Sequence, residues 1–312
     1  MNPLVLKKGM TLTGSIDDYP EGIVIPVDKP YRWTSADVIR KVKWMAIKHF
    51  GKKNLKVGHA GTLDPLATGV LLVCIGKATK MADEFQAHPK EYIAGVSFGA
   101  TTASYDLEKE IDADYPLDAV NEDSLRRVLD GFVGEQEQVA PLFSAKSVDG
   151  KRVYEIARQL YKAGKPVDSD ILRASRITIF DLALLSYCDA EAGELPSANS
   201  CHPRQCKRGD REAVGSSEVR QLANGSSPAD AGKDLPQGAS GRINVASTEG
   251  HTLIRTQIRV SCSKGTYIRA LARDLGEALG SGAFLHSLRR TKTGSFRVEE
   301  ALSIDDISQI LI

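Results

Sequence analysis

The 312-residue chain has no apolar run approaching the ~18 residues of a membrane-spanning helix, which argues against a helical membrane protein. Its first ten residues, Met1 to Met10, lack the apolar core of a secretory signal, so the chain is expected in the cytoplasm. Cysteines are few: five, an odd number, scattered at positions 74, 188, 201, 206 and 262. That usage suits a reducing compartment and offers no disulfide framework. Walker and dinucleotide-binding fingerprints are also missing, which argues against nucleotide-driven and hydride-transferring enzymes. Excess charge is lacking too, because the net charge is only +1.

Acidic residues are missing from three particular stretches, and this is more telling than the total. Val38 to Leu63 has no Asp or Glu but carries Arg40, Lys41, Lys43, Lys48, Lys52, Lys53 and Lys56. Gly250 to Arg273 carries Arg255, Arg259, Lys264, Arg269 and Arg273; Ala278 to Val298 carries Arg289, Arg290, Lys292 and Arg297. Such blocks in a near-neutral chain fit one positive face and a compensating acidic one, although unrelated solvated surfaces would give the same pattern.

Residues 189–250 lack something else. These 62 residues hold no Phe, Trp or Tyr and only seven Ile, Leu or Val, against eight Gly and eight Ser. They cannot bury enough apolar surface to offset the entropy of ordering, so they read as a disordered insertion. Cys201, His202 and Cys206 fall inside it with no second cluster to complete four ligands, so no metal is expected. Around it the elements are mixed. Gly22–Val27 reads as a strand and Asp28-Lys29-Pro30 as a turn, and Thr34-Ser35 offers an N-cap for an amphipathic helix to Phe50, stopped by Gly51. Strands are expected at 70–75, 92–98, 177–187 and 252–262, and helices at 78–86, 123–129, 151–161 and 266–279. Without a steady βαβ rhythm the fold class is α+β.

The most informative segment is Gly58-His59-Ala60-Gly61-Thr62-Leu63-Asp64-Pro65-Leu66-Ala67-Thr68-Gly69, a glycine-punctuated loop around one carboxylate. Pro65 pushes Asp64 out of the α region, towards an extended or turn conformation. An Asp-Pro pair is equally a common helix start, with Asp as N-cap and Pro at the first helical position. Local chemistry leaves both open.

The whole string resembles the catalytic loop of the TruB-type tRNA pseudouridine-55 synthases, Gly-His-x-Gly-x-Leu-Asp-Pro-x-Ala-x-Gly, at every fixed position. Further segments are similar to that family in the family's order. Lys90-Glu91-Tyr92 and Gly99 to Asp106 resemble its Lys-x-Tyr strand and the turn that follows. Pro141 to Tyr154 resembles a segment that often has Tyr where Phe143 stands. Cys262-Ser263-Lys264-Gly265-Thr266-Tyr267-Ile268-Arg269 and Leu288-Arg289-Arg290 resemble its last two signatures.

The resemblance implies a single catalytic domain, residues 1–188 and 251–312, with a mixed, largely antiparallel sheet of the pseudouridine synthase type flanked by helices. It makes Asp64 the catalytic carboxylate and Arg269 its orienting partner through a bidentate fork. Tyr92 would stack on the target base, His59 would push into the space that base vacates, and Leu288 would line the pocket. Asp106 and Tyr267 join the substrate-binding set, and Lys41, Lys77, Lys146, Lys264, Arg289 and Arg290 are expected to hold RNA phosphates.

The reaction so implied breaks the N-glycosidic bond of a uridine, turns the base and rejoins it through carbon. No electron is transferred, so no cofactor is expected. The implied partner is the T-arm stem-loop of tRNA, bound by a monomer. Two departures stand against the family pattern: the 189–250 insertion, and the small C-terminal RNA-binding β domain that many members carry, which is expected to be missing because only 16 residues follow Phe296. The competing readings are a non-catalytic RNA-binding or tRNA-folding protein on the same scaffold, and a guide-RNA-dependent synthase sharing the core.

Overall fold

The computed structural model describes residues 2–141, 147–148, 151–152, 174–192, 243 and 245–312. Of the insertion expected at 189–250, residues 193–242 and 244 lie outside those residues, while 189–192 end a strand; Phe143, Lys146, the Cys201/His202/Cys206 group and most of the 151–161 helix expected from sequence also lie outside. Lys151–Arg152, the start of that expected helix, is instead a short strand paired with Ser147–Val148.

In chain order the strands are β1 Leu4–Val5, β2 Ile23–Lys29, β3 Val57–Ala60, β4 Ala67–Ile75, β5 Lys90–Phe98, β6 Ala100–Thr102, β7 Ile111–Asp114, β8 Gly134–Gln138, β9 Ser147–Val148, β10 Lys151–Arg152, β11 Ser175–Ala192, β12 Thr252–Cys262, β13 Ala283–Thr293 and β14 Phe296–Arg297. The helices are α1 Ser35–Phe50, α2 Ala82–Ala87, α3 Glu122–Gly131, α4 Ile268–Ala278 and α5 Ile304–Leu311. Pairing is largely antiparallel; β1 with β2 and β4 with β13 run parallel. The fold is α+β.

The described residues fall into two units, the first drawn from Met1–Ile93, Ser216–Ile243 and Leu288–Ile312, the second from Ala94–Gly215 and Asn244–Ser287. In the first unit β4 is the centre. It pairs with β2 and β3 antiparallel and with Leu288–Arg290, in the middle of β13, parallel. Its residues from Gly69 to Ile75 are all buried, as expected of a continuous apolar strand covered on both faces. Val24, Ala60, Val70, Leu72, Cys74, Phe85 and Val298 form a core on it.

Helix α1 begins and ends where its sequence dictates. Thr34 and Asp37 make a reciprocal capping box, and Gly51 closes the helix in the left-handed region at φ 63°. Its apolar stripe, Val38, Val42, Met45, Ala46 and Phe50, is buried.

In the second unit β11 pairs antiparallel with β12 and β8, and β6 with β7. β11 runs to Ala192, beyond the expected end at 187, because β12 supplies partners as far as Thr252. Among the described residues no helix is long and apolar enough to cross a membrane.

Candidate active site

Asp64 caps no helix. Two turn residues follow it, Ala67 N donates to its carbonyl (3.1 Å), and β4 starts at Ala67. The first part of the motif is not a loop either: Gly58 and His59 lie in β3, opposite Cys74 and Val73. The true loop is therefore short, from Gly61 to Leu66.

Nearly every other residue of this loop is fastened through its backbone. Arg290 is 2% exposed and donates to the carbonyls of Gly61 (2.9 Å), Thr62 (3.5 Å) and, through Nε, Val70 (2.7 Å). Ser35, in the first turn of α1, receives the Leu63 N–H and donates to the Leu63 carbonyl, both at 3.0 Å. Lys29, 1% exposed, sends its ammonium to the carbonyls of Pro30 (2.9 Å), Trp33 (2.5 Å) and Pro65 (3.2 Å). Arg32 N also donates to Pro65 O at 3.0 Å. Three carbonyls match the three donors of an ammonium, so the buried charge is fully hydrogen-bonded. Burial pulls the Lys29 pKa down from 10.5 to about 7, against the attraction of Asp64.

Gly69, the last fixed motif position, has a structural reason. Its φ is +100°, and a Cβ there would stand 2.1 Å from the Arg290 carbonyl oxygen on β13. Only glycine lets the two strands approach so closely.

His59 is half-buried, and its Nδ1 is buried with no hydrogen-bond partner among the described residues. Burial and the charge of Arg290 both lower its pKa, which favours the neutral imidazole. Tyr92, on β5, is 8% exposed, and Leu288 pairs with Ala67 across β13 and β4.

Of the expected phosphate contacts, Arg289 and Arg290 are engaged within the protein. Successive residues of a strand face opposite ways. Arg290 therefore goes into the core, and Arg289 makes a two-point contact with Asp28 (3.2 and 2.8 Å) and reaches Thr68 Oγ1 at 3.3 Å. Lys77 is ion-paired with Glu21 at 3.1 Å. Lys264 is exposed, and Lys41 sits over the ring of Trp44.

The second unit holds Arg269, near the start of α4 and 5% exposed. Its Nη1 donates to the Ser104 carbonyl at 3.2 Å, and its Nε lies 3.6 Å from Asp106 Oδ2, with both side chains 6% exposed. The other Asp106 oxygen accepts from Ser104 Oγ (2.6 Å) and Glu108 N (3.0 Å). Tyr105, between Ser104 and Asp106, is in the left-handed region at φ 56°, with the Arg273 guanidinium 5.5 Å from its ring centre. Tyr267 is held through its backbone by the Gln138 amide, at 2.9 and 3.2 Å.

Asp106 is thus the counter-charge of Arg269, a task the sequence did not assign to it. Lys29, Ser35, Ser104 and Gln138 were also missed. Lys29 alone left a signal: a charged residue continuing the apolar strand Ile23–Val27. Among the described residues no group of three or more His, Cys, Asp or Glu is placed to hold a metal ion.

Solved structures with this fold include a Cbf5-Nop10-Gar1 complex (TM-score 0.52, 23% identity, 99% of this chain and 63% of that one). Another is an H/ACA RNP bound to a substrate RNA containing 2′-deoxyuridine (TM-score 0.50, 21% identity, 97% and 61%). The chain spans under two thirds of either protein, and the likeness is one of fold. A model of the TruB family pseudouridylate synthase N-terminal domain matches residues 48–198, and one of the tRNA pseudouridylate synthase B C-terminal domain matches residues 269–312. The tRNA pseudouridine synthase B of Phocaeicola vulgatus is 40% identical over 94% of this chain and 95% of its own length. That of Deinococcus radiodurans is 36% identical over 92% and 78%. The chain belongs to the TruB family of pseudouridylate synthases and is an RNA uridine isomerase.

Proposed function

We propose that the chain converts the T-loop uridine of tRNA, position 55, into pseudouridine, with Asp64 as the catalytic carboxylate. The observation that carries this is the loop of Asp64: Arg290, Ser35 and Lys29 fix the backbone on both sides of it. A carboxylate on so rigid a support meets the orientation demand of a reaction at one ribose and one base.

In the reaction the C1′–N1 bond of the uridine breaks, the uracil turns, and C5 bonds to C1′. The proton on C5 is lost and N1 gains one, so substrate and product are isomers. Asp64 supplies the negative charge that attacks or stabilises the electron-poor partner when the glycosidic bond opens. Arg269 is assigned to orient that carboxylate, and Asp106 to orient Arg269. Extrusion of the uridine costs a few kcal/mol of stacking, part of which Tyr92 would recover against the base. His59, kept neutral by burial and by Arg290, can occupy the vacated space without adding charge.

The test is purified protein with an unmodified T-arm stem-loop RNA, a chelator and no added cofactor. Pseudouridine at the single T-loop uridine is expected. No product there or on full-length tRNA would overturn the proposal and favour an RNA-binding protein without turnover.

A further inference from the structure

The two tryptophans of the chain have opposite environments: Trp33 is 2% exposed, and Trp44, on α1, is 54% exposed. The buried stripe of α1 is complete without Trp44. The indole is not idle, because Lys41 and Lys48, three residues before and four after, lie over its ring at 5.7 and 5.4 Å from the centroid. Lys43 and Lys48 are exposed, and neither they nor Lys41 ion-pairs among the described residues. Of the seven cations between Val38 and Leu63, only Arg40 and Lys52 meet a carboxylate there, Asp37 and Asp17 respectively.

Helix α1 also has a fixed relation to the candidate catalytic loop, since Ser35 in its first turn bonds Leu63 in both directions. Trp44 follows Ser35 by nine residues, or about 14 Å along the helix axis at 1.5 Å per residue.

We propose that Lys41, Trp44 and Lys48 form a second RNA-contact strip, which grips the substrate about 14 Å along α1 from the loop of Asp64. The lysines bind phosphate, and the indole stacks on a base or ribose. The partner's class follows from charge and shape. An acid-free row of lysines around one flat aromatic suits a polyanion with planar groups. A lone Trp among lysines is far short of the roughly 800 Å² per partner of a standard protein interface. This inference rests on the tRNA reading above.

Steady-state kinetics on unmodified full-length tRNA test it. Trp44→Ala should raise KM about tenfold, while Trp44→Phe stays within about threefold of the parent. Lys41→Gln with Lys48→Gln should reduce the slope of log affinity against log salt by roughly 1–2. In Asp64→Asn protein, acrylamide quenches Trp44 and not the buried Trp33, and saturating tRNA should abolish that quenching. Unchanged quenching in the complex, or an unchanged KM for Trp44→Ala at an unchanged melting temperature, would overturn the strip. Absence of turnover by the parent protein would instead overturn the tRNA reading, so the two failures are distinct.

Discussion

Lys29 and Arg290 of the first unit and Arg269 of the second are buried in different ways. In the first, Lys29 and Arg290 direct their donors at backbone carbonyls, and those carbonyls belong to the turn before α1, the Asp64 loop and the start of β4. In the second, Arg269 is buried against a carboxylate, Asp106, itself held by Ser104 Oγ and Glu108 N. The first arrangement fixes a segment of chain and lets the cation act as a staple. The second sets a side chain against an opposite charge, with one bond to the Ser104 carbonyl. A catalytic carboxylate benefits from the first, because its support is rigid. A guanidinium meant to orient another group benefits from the second, because its planar fork is set in direction.

Three substitutions probe that contrast, and their expected effects decrease in order. Below Asp64 itself, the largest belongs to Asp106→Asn. It removes the charge of one partner from a buried ion pair, at a stability cost of about 3–5 kcal/mol. Turnover should fall by roughly 10²-fold or more as the guanidinium loses its orientation. Melting temperature and kcat are the readouts, and wild-type values for both would remove Asp106 from the account.

Next is Lys29→Met, which deprives the carbonyls of Pro30, Trp33 and Pro65 of their donor; kcat should drop by up to about 10²-fold. Lys29 also makes stability depend on pH with a definite sign. Its pKa is 10.5 when unperturbed and about 7 when folded, so between those values the unfolded chain binds a proton that the folded chain has released. Stability from this group therefore increases as pH rises from about 7 towards 10. Chemical denaturation across that range should show the increase in the parent protein and lose it in Lys29→Met. An identical pH profile in both would mean that the lysine's burial carries no such cost.

The smallest effect belongs to Lys77→Ala. An exposed lysine already paired with Glu21 is worth about 0–1 kcal/mol, and its loss should change KM by less than about twofold. A larger rise in KM would restore Lys77 as an RNA contact.

How much of this was legible in the sequence depended on whether the signal was local. Helix α1 was readable to its ends because Thr34, Asp37 and Gly51 set both caps within the segment itself. β12 was readable for the same reason, with its Leu253-to-Cys262 pattern. By contrast, Gly58-His59 read as loop because Gly58, Gly61 and Pro65 look like punctuation, yet β4 supplies a long-range partner that makes it a strand. Asp28-Lys29-Pro30 read as a turn because Asp28 and Pro30 are turn formers. In the structure β2 continues through Lys29, opposite Gly69, and the lysine faces inward. Arg289 and Arg290 were indistinguishable as neighbours; only the register of β13 against β4 sends one to Asp28 and the other into the core.

The central claim, that the fastened loop presents Asp64 as the catalytic carboxylate, is tested most directly by single-turnover pseudouridine formation on tRNA bound to saturation. The parent and Asp64→Asn proteins would be compared at equal RNA occupancy. The parent should form pseudouridine at the one T-loop uridine, and Asp64→Asn should form none while its affinity stays within about tenfold. Product from Asp64→Asn at a rate near that of the parent would contradict the account.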